Sequence, residues 1–199
     1  MAINVIDTGA NNRIEIHPET NARSSGTLTV KGDNNSVVIG GGCLFREALF
    51  RVGDNCNINI MNGGLLNKME IYCASGASIT VGARVSCTWY TRIYAHEPAS
   101  ITIGADCLIA SDVLISASDM HSIFDVKSGE RLNRAENIVI GNHVWLAANV
   151  NIMKGATVGS DSVVGAGSIV TGKIPTNCVV AGVPARVIRT GTNWRHDLI

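Results

Sequence analysis

The chain is short of charge and of aromatic rings, which make up 16% and 5% of its 199 residues. Charged amphipathic helices need more of both than this, whereas 46% hydrophobic residues with 21 glycines suit short strands broken by tight turns. It also lacks a net charge, with 16 basic and 16 acidic residues, so no nucleic-acid partner is expected and only a local basic patch is left open. The start, Met1-Ala2-Ile3-Asn4-Val5-Ile6-Asp7, has neither the basic residues nor the apolar run of a signal peptide. No apolar segment approaches the ~18 residues of a membrane span, and a cytoplasmic location is the default expectation. The six cysteines form no C-x-x-C pair, which counts against zinc. Cys43, Cys56 and Cys107 each fall three residues after a glycine, and the cysteines read as small, reduced, buried fillers.

What the chain does have is a six-residue period. Ile140, Leu146, Ile152, Val158, Val164 and Val170 recur at that spacing, and four positions after each stands Val144, Val150, Ala156, Ser162, Ser168 or Ile174. Gly141, Gly159 and Gly165 directly follow three of the leading aliphatics. Such self-similarity is the mark of a parallel β-helix, in which three hexads make one triangular coil. The leader is expected to point inward, the small residue to fill a corner, and the glycine or polar pair to turn the chain. Noisier copies start at Ile103, Val81, Val52 and Ile39. Gly141 and Gly159 stand three hexads apart, as one coil requires, whereas Gly104 and Gly141 stand just over six hexads apart. A loop over about 120–137 must therefore leave the solenoid. We expect one all-β domain over 1–199, with 1–38 as irregular coils or a cap and 176–199 as a C-terminal extension.

The runs Ile140-Gly141-Asn142-His143-Val144-Trp145, Gly165-Ala166-Gly167-Ser168-Ile169-Val170-Thr171 and Gly182-Val183-Pro184-Ala185-Arg186 resemble the hexapeptide-repeat acyltransferases. The likeness is strong from about Ile103 to Arg189 and runs closest to the sugar and polysaccharide O-acetyltransferases. It implies a left-handed parallel β-helix, a homotrimer with active sites between subunits, acetyl-coenzyme A as cosubstrate, a sugar or polysaccharide acceptor, and no metal. In that family the catalytic histidine opens the inserted loop and a tryptophan follows at a distance of four hexads. Ser118-Asp119-Met120-His121 and Trp145 match that spacing. An imidazole with its ordinary pKa near ~6.5 suits removal of a hydroxyl proton. Trp145 falls in an outward slot, where it needs a substrate, the loop or a neighbouring subunit to cover it.

The resemblance further implies cofactor contacts from Ala148 and Ala166 through their backbone, and from Thr171, Lys173, Arg186 and Arg189. One departure is that the lysine stands one residue later than in many relatives, in Thr171-Gly172-Lys173. On an extended segment Arg186 and Arg189 are expected to point to opposite faces. Other classes fit less well. A zinc carbonic anhydrase on this solenoid needs further histidines in the loop, and the position five after His121 is Val126. A non-catalytic scaffold leaves the loop histidine without a purpose. An N-acetyltransferase acting on an amino sugar or other amine is the runner-up.

Overall fold

The computed structural model describes residues 2–198, so Met1 and Ile199 of the expected domain lie outside the described residues. The chain winds into a triangular solenoid of three eight-stranded sheets, which we label walls A, B and C. Wall A runs from Ile3–Asp7 to Ile169–Val170, and wall B from Arg13–Ile16 to Lys173–Ile174. Wall C runs from Leu44–Arg46 to Cys178–Gly182 and ends in an antiparallel strand, Ala185–Thr190. Every other pairing is parallel, as in Ile101 beside Ile138 or Leu146 beside Val164.

The six leading aliphatics are all at most 1% exposed and stack down the axis. Full burial of such a side chain is worth roughly 1.5–3 kcal/mol, so a continuous column of them supplies the cohesion between coils. The corner slots of Val144, Val150, Ala156, Ser162 and Ser168 are fully buried. Polar occupants of such slots have a second job. Ser162 Oγ donates to the Pro175 carbonyl at 3.0 Å, Cys107 Sγ to that of Gly141 at 3.2 Å, and Cys43 Sγ to that of Met61 at 3.1 Å. These donors satisfy turn carbonyls of the next coil that would otherwise be buried unpaired. All six cysteines are free and buried, and desolvation pushes the Cys87 thiol up to about 12 and that of Cys107 up to about 11.

The turns differ from expectation in one respect. The residue with left-handed backbone is the third after each of the first five leaders, at His143, Asn149, Gly155, Asp161 and Gly167, whereas the third after Val170 is Lys173, already in a strand. The glycine directly after the leader is needed for a different reason. A Cβ on Gly141 would stand 2.6 Å from Ser160 N, and one on Gly159 would stand 2.5 Å from Thr176 N. Close stacking of coils selects these glycines, whereas the bend is made one and two positions later.

The segment 1–38, expected as irregular coils or a cap, carries strands of walls A and B. In the first coil the third side is a helix, Pro18–Arg23, in place of a wall C strand. Its buried hydroxyls serve the exposed edge of wall C. Thr20 Oγ1 accepts from Cys43 N at 3.0 Å, and Ser24 Oγ accepts from Phe45 N at 3.0 Å. The edge is thereby closed against further strand addition. Far up the solenoid the chain leaves wall A after Val113–Ser116 and re-enters wall B at Ile138–Ile140. The excursion therefore springs from the corner between walls A and B.

Candidate active site

The loop is pinned to that A/B corner by polar contacts. Arg131 makes two bonds to the Glu97 carboxylate, 2.6 and 2.7 Å, and Ser118 Oγ donates to the same group. These partners, the guanidinium foremost, hold Glu97 down to about 2. Asp119 bonds Lys154 Nζ at 2.7 Å and Asn133 Nδ2 at 2.9 Å, which also lowers its pKa. Asn133 is 6% exposed and ties three points of the loop together, donating to Asp119 and to the His121 carbonyl and accepting from Ile123 N. The His121 backbone is thus fixed at both ends, its own N–H donating to the Asp119 carbonyl at 2.7 Å. Its imidazole is exposed and has no hydrogen-bond partner among the described residues. Asp119 orients the loop through Lys154 and Asn133.

Two adjoining cavities run along the same corner from the loop base toward the C-terminal end. One, of about 390 Å³, is lined by Asp119, Glu136, Met153, Lys154, Gly155 and Thr171. The next, of about 210 Å³, is lined by Thr171, Gly172, Lys173, Ile174, Ala185, Arg186 and Val187. They share Thr171. A groove therefore leads from Asp119 at the loop base to a pair of cations, and it is open where Gly172 offers no side chain. Lys173 and Arg186 fit a terminal phosphate group, and the narrow run past Thr171 fits a thin flexible arm.

The other expected site residues stand elsewhere on the same chain. Trp145 lies on wall C, the wall opposite the loop's corner, 36% exposed. Its neighbour is the chain's own tail: the Trp194 ring is 5.9 Å away, stacks on His143 at 4.4 Å and 13°, and donates Nε1 to the His143 carbonyl at 2.8 Å. Ala148 and Ala166 sit at the C/A corner, their amides without partners among the described residues. Arg189 is on the wall C edge beside Val179. The expectation that Arg186 and Arg189 face opposite sides is corrected here. A register shift between Val179 and Val180 makes Ile188 an extra residue, so Arg186 pairs with Ala181 and Arg189 with Val179. A bulge of one residue restores the side-chain phase, and both arginines share the outward face.

A polysialic acid O-acetyltransferase of Neisseria meningitidis is 36% identical over 151 residues, spanning 75% of this chain and 69% of its own length. This chain belongs to the hexapeptide-repeat acyltransferases. The family model described as bacterial transferase hexapeptide (six repeats) matches residues 137–172 of this acyltransferase. A putative lipopolysaccharide biosynthesis O-acetyl transferase of Escherichia coli K12 is 43% identical over 166 residues, covering 72% of the acyltransferase and 82% of its relative. The crystal structure of the polySia-specific acetyltransferase NeuO matches 98% of the acyltransferase and 83% of its own chain, with a TM-score of 0.91 and 34% identity. The solenoid is accordingly the left-handed β-helix of that family.

Several residues of the acyltransferase's site escaped the sequence reading. Lys154 was legible in principle: Ile152 pairs with Val170, so Lys154 stacks on the corner of Gly172 and belongs with the loop. Glu97, Arg131 and Asn133 carried no periodic signal. Trp194 sits in a tail with no repeat, and only its contacts reveal it. Among the described residues no three His, Cys, Asp or Glu side chains are grouped to hold a metal, and no helix is long and apolar enough to cross a membrane.

Proposed function

We propose that this acyltransferase moves an acetyl group from acetyl-coenzyme A to a hydroxyl of a sugar or polysaccharide, with His121 as general base and each site completed between two copies in a homotrimer. The observation that carries the reading is the groove from Asp119, two residues before His121 at the loop base, to Lys173 and Arg186, in a chain whose relatives are named as O-acetyltransferases. In the reaction the His121 imidazole takes the acceptor's hydroxyl proton as the oxygen attacks the thioester carbon. The carbon–sulfur bond breaks, the ester forms, and the imidazolium returns its proton to the departing thiolate. General-base assistance of this kind is worth ~10²–10⁴ in rate.

The division of the site between two copies rests on topology. His121 and Thr171 belong to the A/B corner and Lys173 to the wall B strand that follows it. Arg186, on the antiparallel strand that ends wall C, lines the same cavity as Thr171 and Lys173, while Trp145 belongs to wall C lower down and Ala148 and Ala166 to the C/A corner. One prism presents these sets in different directions. They converge when the A/B corner of one copy faces wall C of the next. Outward Leu44, Leu65, Leu108, Trp145 and Val163 form a row on wall C, apolar but for Ser86 between Leu65 and Leu108, that such packing would cover.

Mixing two inactive proteins tests this. Coexpressed His121→Ala and Trp145→Ala chains should recover activity, because some sites pair an intact His121 from one copy with an intact Trp145 from the other. Absence of recovery in verified mixed oligomers, or a monomeric mass under assay conditions, rejects the shared site. A panel of glycan and amine acceptors with acetyl-coenzyme A separates hydroxyl from amino transfer.

A further inference from the structure

The loop divides the A side of the molecule in two. The groove described above occupies the C-terminal part, so an acceptor reaching His121 has the N-terminal part left to it. There wall A carries a row of outward side chains in register, Thr29, Arg51, Tyr72 and Tyr94, which ends under the loop base at the buried Ser116. At the bottom of the row a cavity of about 430 Å³ is lined by Thr29, Lys31, Arg51, Val52, Gly53 and Tyr72. At the top Tyr72 and Tyr94 close around His96, with ring centroids 4.5 and 5.3 Å from it. His96 adjoins Glu97, the anchor of the loop.

We propose that this row is the track for an extended acidic glycan, with Lys31 and Arg51 holding a sugar carboxylate and the Tyr72–His96–Tyr94 cluster stacking on sugar rings nearer the reacting hydroxyl. This rests on the acetyl-transfer reading and names the acceptor class for it. Charge on the wall favours an anion: Arg51 and Arg92 face outward against Glu70, which bonds Arg51 at 2.7 Å, and Lys31 adds a cation at the cavity, with the exposed Asp33 and Asp54 on the turns beyond it. Lys31 has no ion-pair partner among the described residues. Burial, then the nearby Glu70, pushes the Tyr94 phenol up to about 12, so it remains a hydrogen-bond donor. Length favours an oligomer. Three strand steps of ~4.8 Å separate the Arg51 and Ser116 rows, a span of about 14 Å that a single sugar cannot bridge.

The test compares carboxylate-bearing oligosaccharides from monomer to hexamer with the same series after reduction of the carboxyls to alcohols. The readouts are KM for acceptor, KM for acetyl-coenzyme A, and glycan binding by calorimetry without cofactor. Acceptor KM should fall with length to a plateau, and reduction should raise it roughly five- to tenfold. Lys31→Ala should reproduce that rise on the native series, leave the reduced series and acetyl-coenzyme A unchanged, and keep the parent's melting temperature, since Lys31 is exposed. Tyr72→Phe should be mild and Tyr72→Ala severe if stacking matters. Equal KM values for native and reduced series, or a Lys31→Ala variant indistinguishable from the parent, overturn the track. Lys31-dependent glycan binding without acetylation would leave the track standing and overturn the acetyl-transfer reading instead.

Discussion

The solenoid has two gauges. Below the loop a coil exceeds three hexads by three to five positions, so that Ile14 pairs with Val37, Ile58 with Ile79 and Ile79 with Ile101. Above it a coil takes three hexads and no more, as when Ile152 pairs with Val170. Strands of walls A and B shorten accordingly, from four or five residues such as Ser78–Val81 to two such as Ile169–Val170, while those of wall C are short already below the loop, as at Ser86–Cys87. A four-residue strand places two side chains inward, Ile79 and Val81, and two outward, Ser78 and Thr80. A two-residue strand places one of each. The wide coils therefore have room for a lined surface of side chains, whereas the narrow coils present mostly backbone and small residues. A polymer with many functional groups suits the first, and a thin pantetheine arm suits the second.

If the two gauges divide the labour, damage at the junction should stop chemistry while sparing both binding halves. His121→Ala is expected to lower kcat by ~10²–10⁴ and leave both KM values nearly unchanged, because the base acts only as the proton moves. Retention of more than about half the parent's kcat would remove His121 from the mechanism. In the narrow half, Lys173→Ala or Arg186→Ala should raise KM for acetyl-coenzyme A by roughly tenfold to a hundredfold, the worth of a charge-assisted bond of ~1.5–3 kcal/mol. Acceptor KM should not follow. Because the bulge puts Arg189 on the same face as Arg186, Arg189→Ala is expected to act in the same direction. Acetyl-coenzyme A and its 3′-dephospho form, compared across the three variants, identify which cation meets that phosphate. If all three discriminate as well as the parent, none does.

How much of this the sequence reveals also follows the gauge. The hexad is clean only over 140–170, because there each side of the prism consumes one hexad, whereas the next side is shorter and brings Ile174 beside Val158 on wall B. An extra residue per strand shifts the phase in the wide coils, so Ile39, Val52 and Val81 look like isolated copies although they head the same corners. The two-residue alternation of Ser78-Ile79-Thr80-Val81 is the signal that persists there. The loop's position and the grouping of Thr171, Lys173 and Arg186 around one cavity were legible from spacing and family likeness. The loop's anchors were not, since Glu97 and Arg131 are far apart in the chain and meet only through the coil geometry. Zero net charge likewise conceals the cations of wall A, because composition has no spatial resolution.

The role of the hexad glycines can be separated by two substitutions. Gly141→Ala places a Cβ 2.6 Å from Ser160 N, and backbone cannot withdraw cheaply, so a loss of about 1–3 kcal/mol is expected. Gly167 has nothing within 4 Å of the added atom but sits at φ 70°. Gly167→Ala therefore costs only the left-handed backbone preference, about 1–2 kcal/mol. Urea denaturation reads both. A smaller loss at Gly141 than at Gly167 would mean that bending, and not coil stacking, selects glycine after the leader.

The smallest effect concerns the joint between the gauges and its dependence on pH. Glu97 is held down to about 2, chiefly by Arg131 and then by Ser118, against an unfolded value near ~4.3. A depressed carboxylate pKa contributes stability that is fully present above the unfolded value and is lost as pH falls through the folded one. Anchoring of the loop should accordingly be flat from pH 7 to about 5 and weaken between about 4 and 2. Asp119, lowered by Lys154 and Asn133, works in the same direction. Exchange protection of the Ile123 and Leu132 amides, which bond Asn133 and Ile123, follows the loop itself. In the parent that protection should drop across the acid window. In Glu97→Gln it should start lower and fall less, the remainder belonging to Asp119. Superimposable curves for parent and variant would show that the Arg131–Glu97 pair does not hold the loop to the wide coils.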